Sequence, residues 1–100
     1  MPFLGKIFIK NMGYKIIIAS EKIWLKDMSF LHPKELKSVQ QKIKILEQEP
    51  WPEELQVKKL KHYALAGFRL RVGDYRVLFD RNLETKTILI FRVLHRSKLY

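Results

Sequence analysis

Residues Phe68–Asp80, F-R-L-R-V-G-D-Y-R-V-L-F-D, carry the reading of the fold. Phe68, Leu70 and Val72 alternate with Arg69 and Arg71. Beyond Gly73-Asp74, Tyr75, Val77 and Phe79 alternate with Arg76 and Leu78. Alternation on both sides of a two-residue, glycine-containing break predicts a tight β-hairpin. With Gly73-Asp74 as the loop, Val72 lies opposite Tyr75, Arg71 opposite Arg76, Leu70 opposite Val77, Arg69 opposite Leu78 and Phe68 opposite Phe79. The apolar residues at 68, 70, 72, 75, 77 and 79 then share one face, and Arg69, Arg71 and Arg76 share the other. Directly opposed like charges on a sheet are unfavourable, so the Arg71–Arg76 pair calls for a reason. A bound polyanion supplies one.

Working outward, Thr87–Leu94 is the most apolar strand and is expected well inside a sheet. Tyr14–Ile18, Y-K-I-I-I, reads as a short β-branched strand, expected to be central. Ser20 is placed to cap a helix, with Glu21 at the positive end of its dipole. Ile23, Trp24, Asp27/Met28 and Leu31 form its rough stripe. Pro33 suits the first turn of a second helix. Its apolar stripe is Leu36, Val39, Ile43 and Leu46, with lysines on the wet side, and Pro50 and Pro52 end it. Trp51–Gln56 reads as a connector and Val57–Leu60 as a short strand or extended segment. The order strand, helix, helix, then three or four strands predicts an α+β fold, with two N-terminal helices packed on one face of a small, mainly antiparallel sheet. Residues 14–100 form one domain, and 1–13 are an extension or an extra strand. Phe68, Tyr75 and Phe79 are core aromatics in this arrangement, and Trp24 and Trp51 core or rim packing.

The charge narrows the partners. Among 100 residues, 20 Lys and Arg stand against 10 Asp and Glu, a formal net charge of +10. Such a surface favours nucleic acid, an anionic membrane or an acidic protein. No apolar run is long enough to span a bilayer, and Met1–Asn11 lacks the pattern of a cleaved leader. Cysteine is absent, which excludes a thiol nucleophile and a thiolate metal site and fits a reducing cytoplasm. His32, His62 and His95 show no metal-ligand spacing, and no glycine-rich phosphate loop or nucleophile elbow is present. No metal or other cofactor is expected.

What remains is a cationic face with titratable and aromatic groups near it. Arg71 and Arg76 suit bidentate binding of a phosphate. His95 and Arg96 follow the last strand, Tyr100 ends the chain, and His62-Tyr63 precede the hairpin. Such a set suffices for RNA cleavage without a metal. The 2′-hydroxyl supplies the nucleophile, and the protein orients it, neutralises charge on the phosphorane and moves protons. Each residue also has a structural reading: Arg69 as a solvated strand residue, His95 as a structural histidine at a strand end, Tyr100 as a terminal packing aromatic.

The strings L-K-H-Y-A-L-A-G-F-R-L-R-V-G-D-Y-R-V-L-F (Leu60–Phe79) and I-L-I-F-R-V-L-H-R-S-K-L-Y (Ile88–Tyr100) resemble the RelE/ParE toxin superfamily. The resemblance covers roughly residues 14–100. It implies a compact α+β toxin of a toxin–antitoxin module, acting in the cytoplasm. The RelE-like branch cleaves mRNA in the ribosomal A site without metal; the ParE-like branch inhibits DNA gyrase. On the first branch, Arg71, Arg76, His95 and Tyr100 would be catalytic, and Arg69, Arg96, Lys98 and His62 would bind substrate. Implied partners are a cognate antitoxin in a hetero-oligomeric complex, the ribosome through 16S rRNA, and mRNA, with no membrane. The alternatives are a gyrase inhibitor and a non-catalytic RNA-binding module. Two departures bear on mechanism. Arg69 and Arg71 stand where some members have lysine, and arginine gives up its proton too reluctantly to serve readily as a base. Lys58-Lys59 stand where some relatives carry a glutamate.

Overall fold

In the computed structural model, which describes residues 13–99, the hairpin takes the register that alternation predicts. Strands β3 (Phe68–Val72) and β4 (Tyr75–Asn82) pair Val72 with Tyr75, Arg71 with Arg76 and Phe68 with Phe79. Gly73 opens the two-residue loop at φ +58°, a backbone that favours glycine. Three more strands complete one sheet: β1 (Lys15–Ile18), β2 (Val57–Lys59) and β5 (Thr87–His95), in the order β1-β5-β4-β3-β2. β1 runs parallel to β5, and the other pairings are antiparallel.

β5 lies between β1 and β4, inside the sheet as its apolar run predicts. β1 does not lie centrally: among the described residues it ends the strand order. Its three isoleucines suggest burial on both faces, but Ile16 and Ile18 pack on the core while Ile17 is exposed. The extension or extra strand expected over residues 1–13 falls almost wholly outside the described residues. Gly13 lies where the chain passes the end of the second helix. A Cβ there would meet the Glu47 carbonyl at 2.5 Å, and the adjacent Tyr14 N–H donates to that carbonyl at 2.8 Å.

Helix α1 (Glu21–Met28) is capped by Ser20, whose Oγ accepts the Ile23 N–H at 3.3 Å. Helix α2 (Pro33–Ile45) begins on Pro33, and the Glu35 carboxylate accepts the His32 N–H at 3.0 Å. Val39, Ile43 and Leu46 bury the apolar stripe of α2 against Leu70, Val72, Val77, Phe79, Ile88 and Ile90. Trp24, Met28 and Leu31 pack at the edge of the same core. Trp51 seals one end. Its Nε1–H donates to the Leu46 carbonyl at 2.9 Å, its ring meets Phe68 and Phe79 edge-on, and the Arg81 guanidinium lies 4.7 Å from its centroid. Both helices thus sit on one face of the sheet, and the arginine-bearing face is turned away from them.

Between β4 and β5 the register shifts: Phe79 pairs with Ile90 but Leu78 with Arg92, so Phe91 is the extra residue of a β-bulge. Past the bulge, β5 runs beyond the end of β1, and α1 covers the exposed edge. Asp27, buried in α1, accepts the Val93 N–H at 3.0 Å and two bonds from Arg92, Nε–H and Nη2–H, at 2.9 Å each.

Candidate functional site

The face away from the helices is built from rows of cross-strand neighbours. Nearest the turn, Arg71 lies opposite Arg76, and Arg76 opposite Leu94. The next row runs Lys58, Arg69, Leu78, Arg92. Arg71 is exposed and Arg76 half-buried. Two carbonyls hold the Arg76 guanidinium: Nη1–H donates to Gly73 O at 2.9 Å and Tyr75 O at 3.0 Å. Burial, and then the charges of Arg71, Arg69 and Arg96, push the Arg76 pKa below the usual arginine value, with Asp74 opposing them. Four arginines therefore share one electrostatic neighbourhood.

Arg96 reaches that neighbourhood through the turn. Its backbone N–H donates to the Asp74 carbonyl at 2.7 Å, and its Nε lies 3.6 Å from Asp74 Oδ1. Both side chains are largely exposed, so the ion pair contributes little energy. The backbone bond is one of the contacts that tie the tail to the hairpin.

His95 and Lys98 take a different course. The bulge places His95 opposite Tyr75, on the helix side, with ring centroids 5.4 Å apart in an edge-to-face contact. His95 Nδ1 accepts the Ser97 N–H at 3.2 Å and lies 2.9 Å from Ser97 Oγ, capping the short 3₁₀ turn Arg96–Lys98. Lys98 Nζ sits 5.7 Å from the ring centroid of Phe30 across a groove between the end of α1 and the end of β5. His62 is exposed in the segment before the hairpin, with φ +58°. Tyr100 lies outside the described residues. The structure thus gathers Arg69, Arg71, Arg76 and Arg96, and sets His95 and Lys98 around the sheet edge from them.

Two features of this face have weak signals in sequence. Leu78 is fully buried although it belongs to the arginine face. Leu60, Tyr63 and Leu99 line the apolar pocket above it, together with Arg69. That cover comes from irregular segments with no periodicity to reveal it. Lys58 joins the basic row because β2 pairs it with Arg69. Its strand, V-K-K, is too short for alternation to assign a face.

The chain matches the family model of the ParE toxin of the type II toxin–antitoxin system parDE over residues 32–100. No curated protein gives a significant match. Among solved structures, it resembles the archaeal RelE–RelB complex from Pyrococcus horikoshii OT3. That likeness has 30% identity and a TM-score of 0.69, over 87% of this chain and 99% of the other. The RelB–RelE antitoxin–toxin complex from Methanococcus jannaschii gives 27% identity and a TM-score of 0.65 over 84% and 94%. The toxin–antitoxin complex RelBE2 from Mycobacterium tuberculosis gives 30% and 0.61 over 87% and 95%. The hairpin register, the helices on one sheet face and these matches agree, and the chain belongs to the RelE/ParE superfamily as the toxin component of a toxin–antitoxin module.

Proposed function

We propose that this toxin is an endoribonuclease that cleaves mRNA on the ribosome and so arrests translation in the cytoplasm. The observation that carries the proposal is the Arg71–Arg76 pair, directly opposed on the open face with Arg69 and Arg96 close by. Gathering these charges costs free energy in the unliganded protein, and a phosphate between the two guanidinium groups offsets it. The two turn carbonyls that fix Arg76 pre-organise one half of that clamp. In the reaction the 2′-hydroxyl gives its proton to water as its oxygen attacks phosphorus, the P–O5′ bond breaks, and the leaving O5′ takes a proton from water, so that a 2′,3′-cyclic phosphate and a 5′-hydroxyl result. Arg71 and Arg76 neutralise the phosphorane, while Arg69 and Arg96 hold flanking substrate. The Ser97 N–H donates to His95 Nδ1 and fixes the ring at the end of β5. His95 belongs to the proposed catalytic set from the edge of the sheet, around from the arginines. Tyr100 is the remaining residue of the proposed catalytic set, and His62 and Lys98 extend the substrate contacts.

A cognate antitoxin is the second proposed partner, since each of the three solved relatives is a complex of RelE with RelB. An acidic, amphipathic segment fits a face that is basic beside the turn. The ParE description of the matched family supports a second reading, inhibition of DNA gyrase. Expression of the wild type and Arg76→Ala, with mapping of mRNA ends on ribosomes, separates the two. The nuclease predicts growth arrest and cuts within codons for the wild type, and neither for a folded Arg76→Ala. Arrest that persists in folded Arg76→Ala and Arg71→Ala proteins refutes the site. A DNA-damage response with intact mRNA supports the gyrase reading.

A further inference from the structure

We infer that Lys58 and Arg69 form a second phosphate subsite, one nucleotide from the Arg71–Arg76 clamp, so that the sheet grips two successive phosphates of a single-stranded RNA. This rests on the nuclease reading and adds Lys58 to it. β2 pairs Lys58 with Arg69, and β3 pairs Arg69 with Leu78, so the two cations stand side by side on the face that also carries Arg71 and Arg76. The row of Lys58 and Arg69 is two residues along the strands from the row of Arg71 and Arg76, about 7 Å, comparable to the step between successive phosphates in an extended single strand. The exposed Lys58 ammonium supplies a point charge beside Arg69.

The basic stripe is bounded. In the Lys58 row, Arg92 is engaged by Asp27, which neutralises it. One row further from the turn stands the exposed Asp80 carboxylate, whose Oδ1 accepts the Gly67 N–H at 2.5 Å. A negative charge held there opposes a third phosphate. Two rows of cations followed by a fixed anion therefore suit a short, two-phosphate contact and not a long electrostatic track.

The test measures binding of an uncleavable 2′-O-methyl RNA oligonucleotide by fluorescence anisotropy from 50 to 200 mM salt (the range over which counterion release is conveniently read). Proteins compared are the wild type, Lys58→Ala, Lys58→Arg, Arg76→Ala and Lys44→Ala, the last removing a charge from the solvent side of α2. Each lost phosphate contact lowers the slope of log affinity against log salt by about 0.7 for a single strand. The expected result is that loss in Lys58→Ala and in Arg76→Ala, recovery in Lys58→Arg, and a wild-type slope in Lys44→Ala. A wild-type slope in Lys58→Ala with a reduced one in Arg76→Ala overturns the subsite and leaves the nuclease reading in place. An equal loss in Lys44→Ala also overturns it, because net charge would then explain the effect. No binding by the wild type, or no effect of Arg76→Ala, overturns both.

Discussion

Asp27 is the buried charge among the described residues, 3% exposed, and each of its oxygens is used. It substitutes for a neighbouring strand: β1 stops at Ile18, opposite Ile90, and the carboxylate accepts the Val93 N–H that a longer β1 would have faced. Its hydrogen bond to Arg92 raises the Arg92 pKa against the opposing effect of burial. Asp27→Ala leaves the edge N–H without this acceptor and the Arg92 charge without its partner. The expected cost is about 3 kcal/mol, at the low end for breaking a buried pair because Arg92 reaches solvent. Urea denaturation measures it, and an unchanged midpoint would contradict the role assigned here. Tyr75 gives a pH-dependent prediction. Burial first, then the Glu35 charge, raises its pKa above the ordinary tyrosine value of 10.0. A raised folded-state pKa means stability that is present below the unfolded value and lost as pH rises through the folded one. Wild-type stability should therefore fall above about pH 10 by more than that of Tyr75→Phe, read from urea midpoints between pH 8 and 11.

At the scale of elements, the hairpin and the bulge show why part of the site was legible and part was not. The hairpin is local: its alternation, its loop and its glycine are contiguous, and its register followed from them directly. Gly73 is the simplest test of that logic. A Cβ there meets nothing within 4 Å, so Gly73→Ala isolates the cost of φ +58°. That cost is expected at about 1–2 kcal/mol, with RNA binding retained once the protein is folded, and calorimetry with the anisotropy assay checks both. The bulge is different. Strict alternation from Ile88 and Ile90 would place Val93 and His95 on the outer face with the arginines. The extra residue Phe91 reverses the parity, so Val93 enters the core and His95 lies against Tyr75. A single inserted residue leaves no compositional mark, and so the separation of His95 from the arginines was not readable. The three residues of β2 were likewise too few to reveal Lys58, which only pairing with Arg69 assigns.

Across the whole molecule, the two helices and the hairpin each carry a period that identifies them, but the sheet is closed by pairings between distant segments. β1 and β5 come from opposite ends of the described chain and pair in parallel, a contact that no local pattern announces. That explains why three consecutive isoleucines suggested a central strand. Their pattern reports burial, while strand order depends on which partner arrives. The same topology makes β5 indispensable. It pairs on one side with β1 and on the other with β4, contributes Ile88, Ile90 and Val93 to the core, and supplies both partners of Asp27. A chain ending at Lys86 keeps both helices and the hairpin, yet leaves β1 without its pairing strand and α1 without its anchor. Helices of 8 and 13 residues are marginal alone in water, and a hairpin with only a short third strand is little better. The truncated chain is therefore expected to show no cooperative urea transition and weak secondary structure by circular dichroism. A cooperative transition would instead mean that α2 and β2–β4 form a self-sufficient unit, with β1, α1 and β5 added to a core already made.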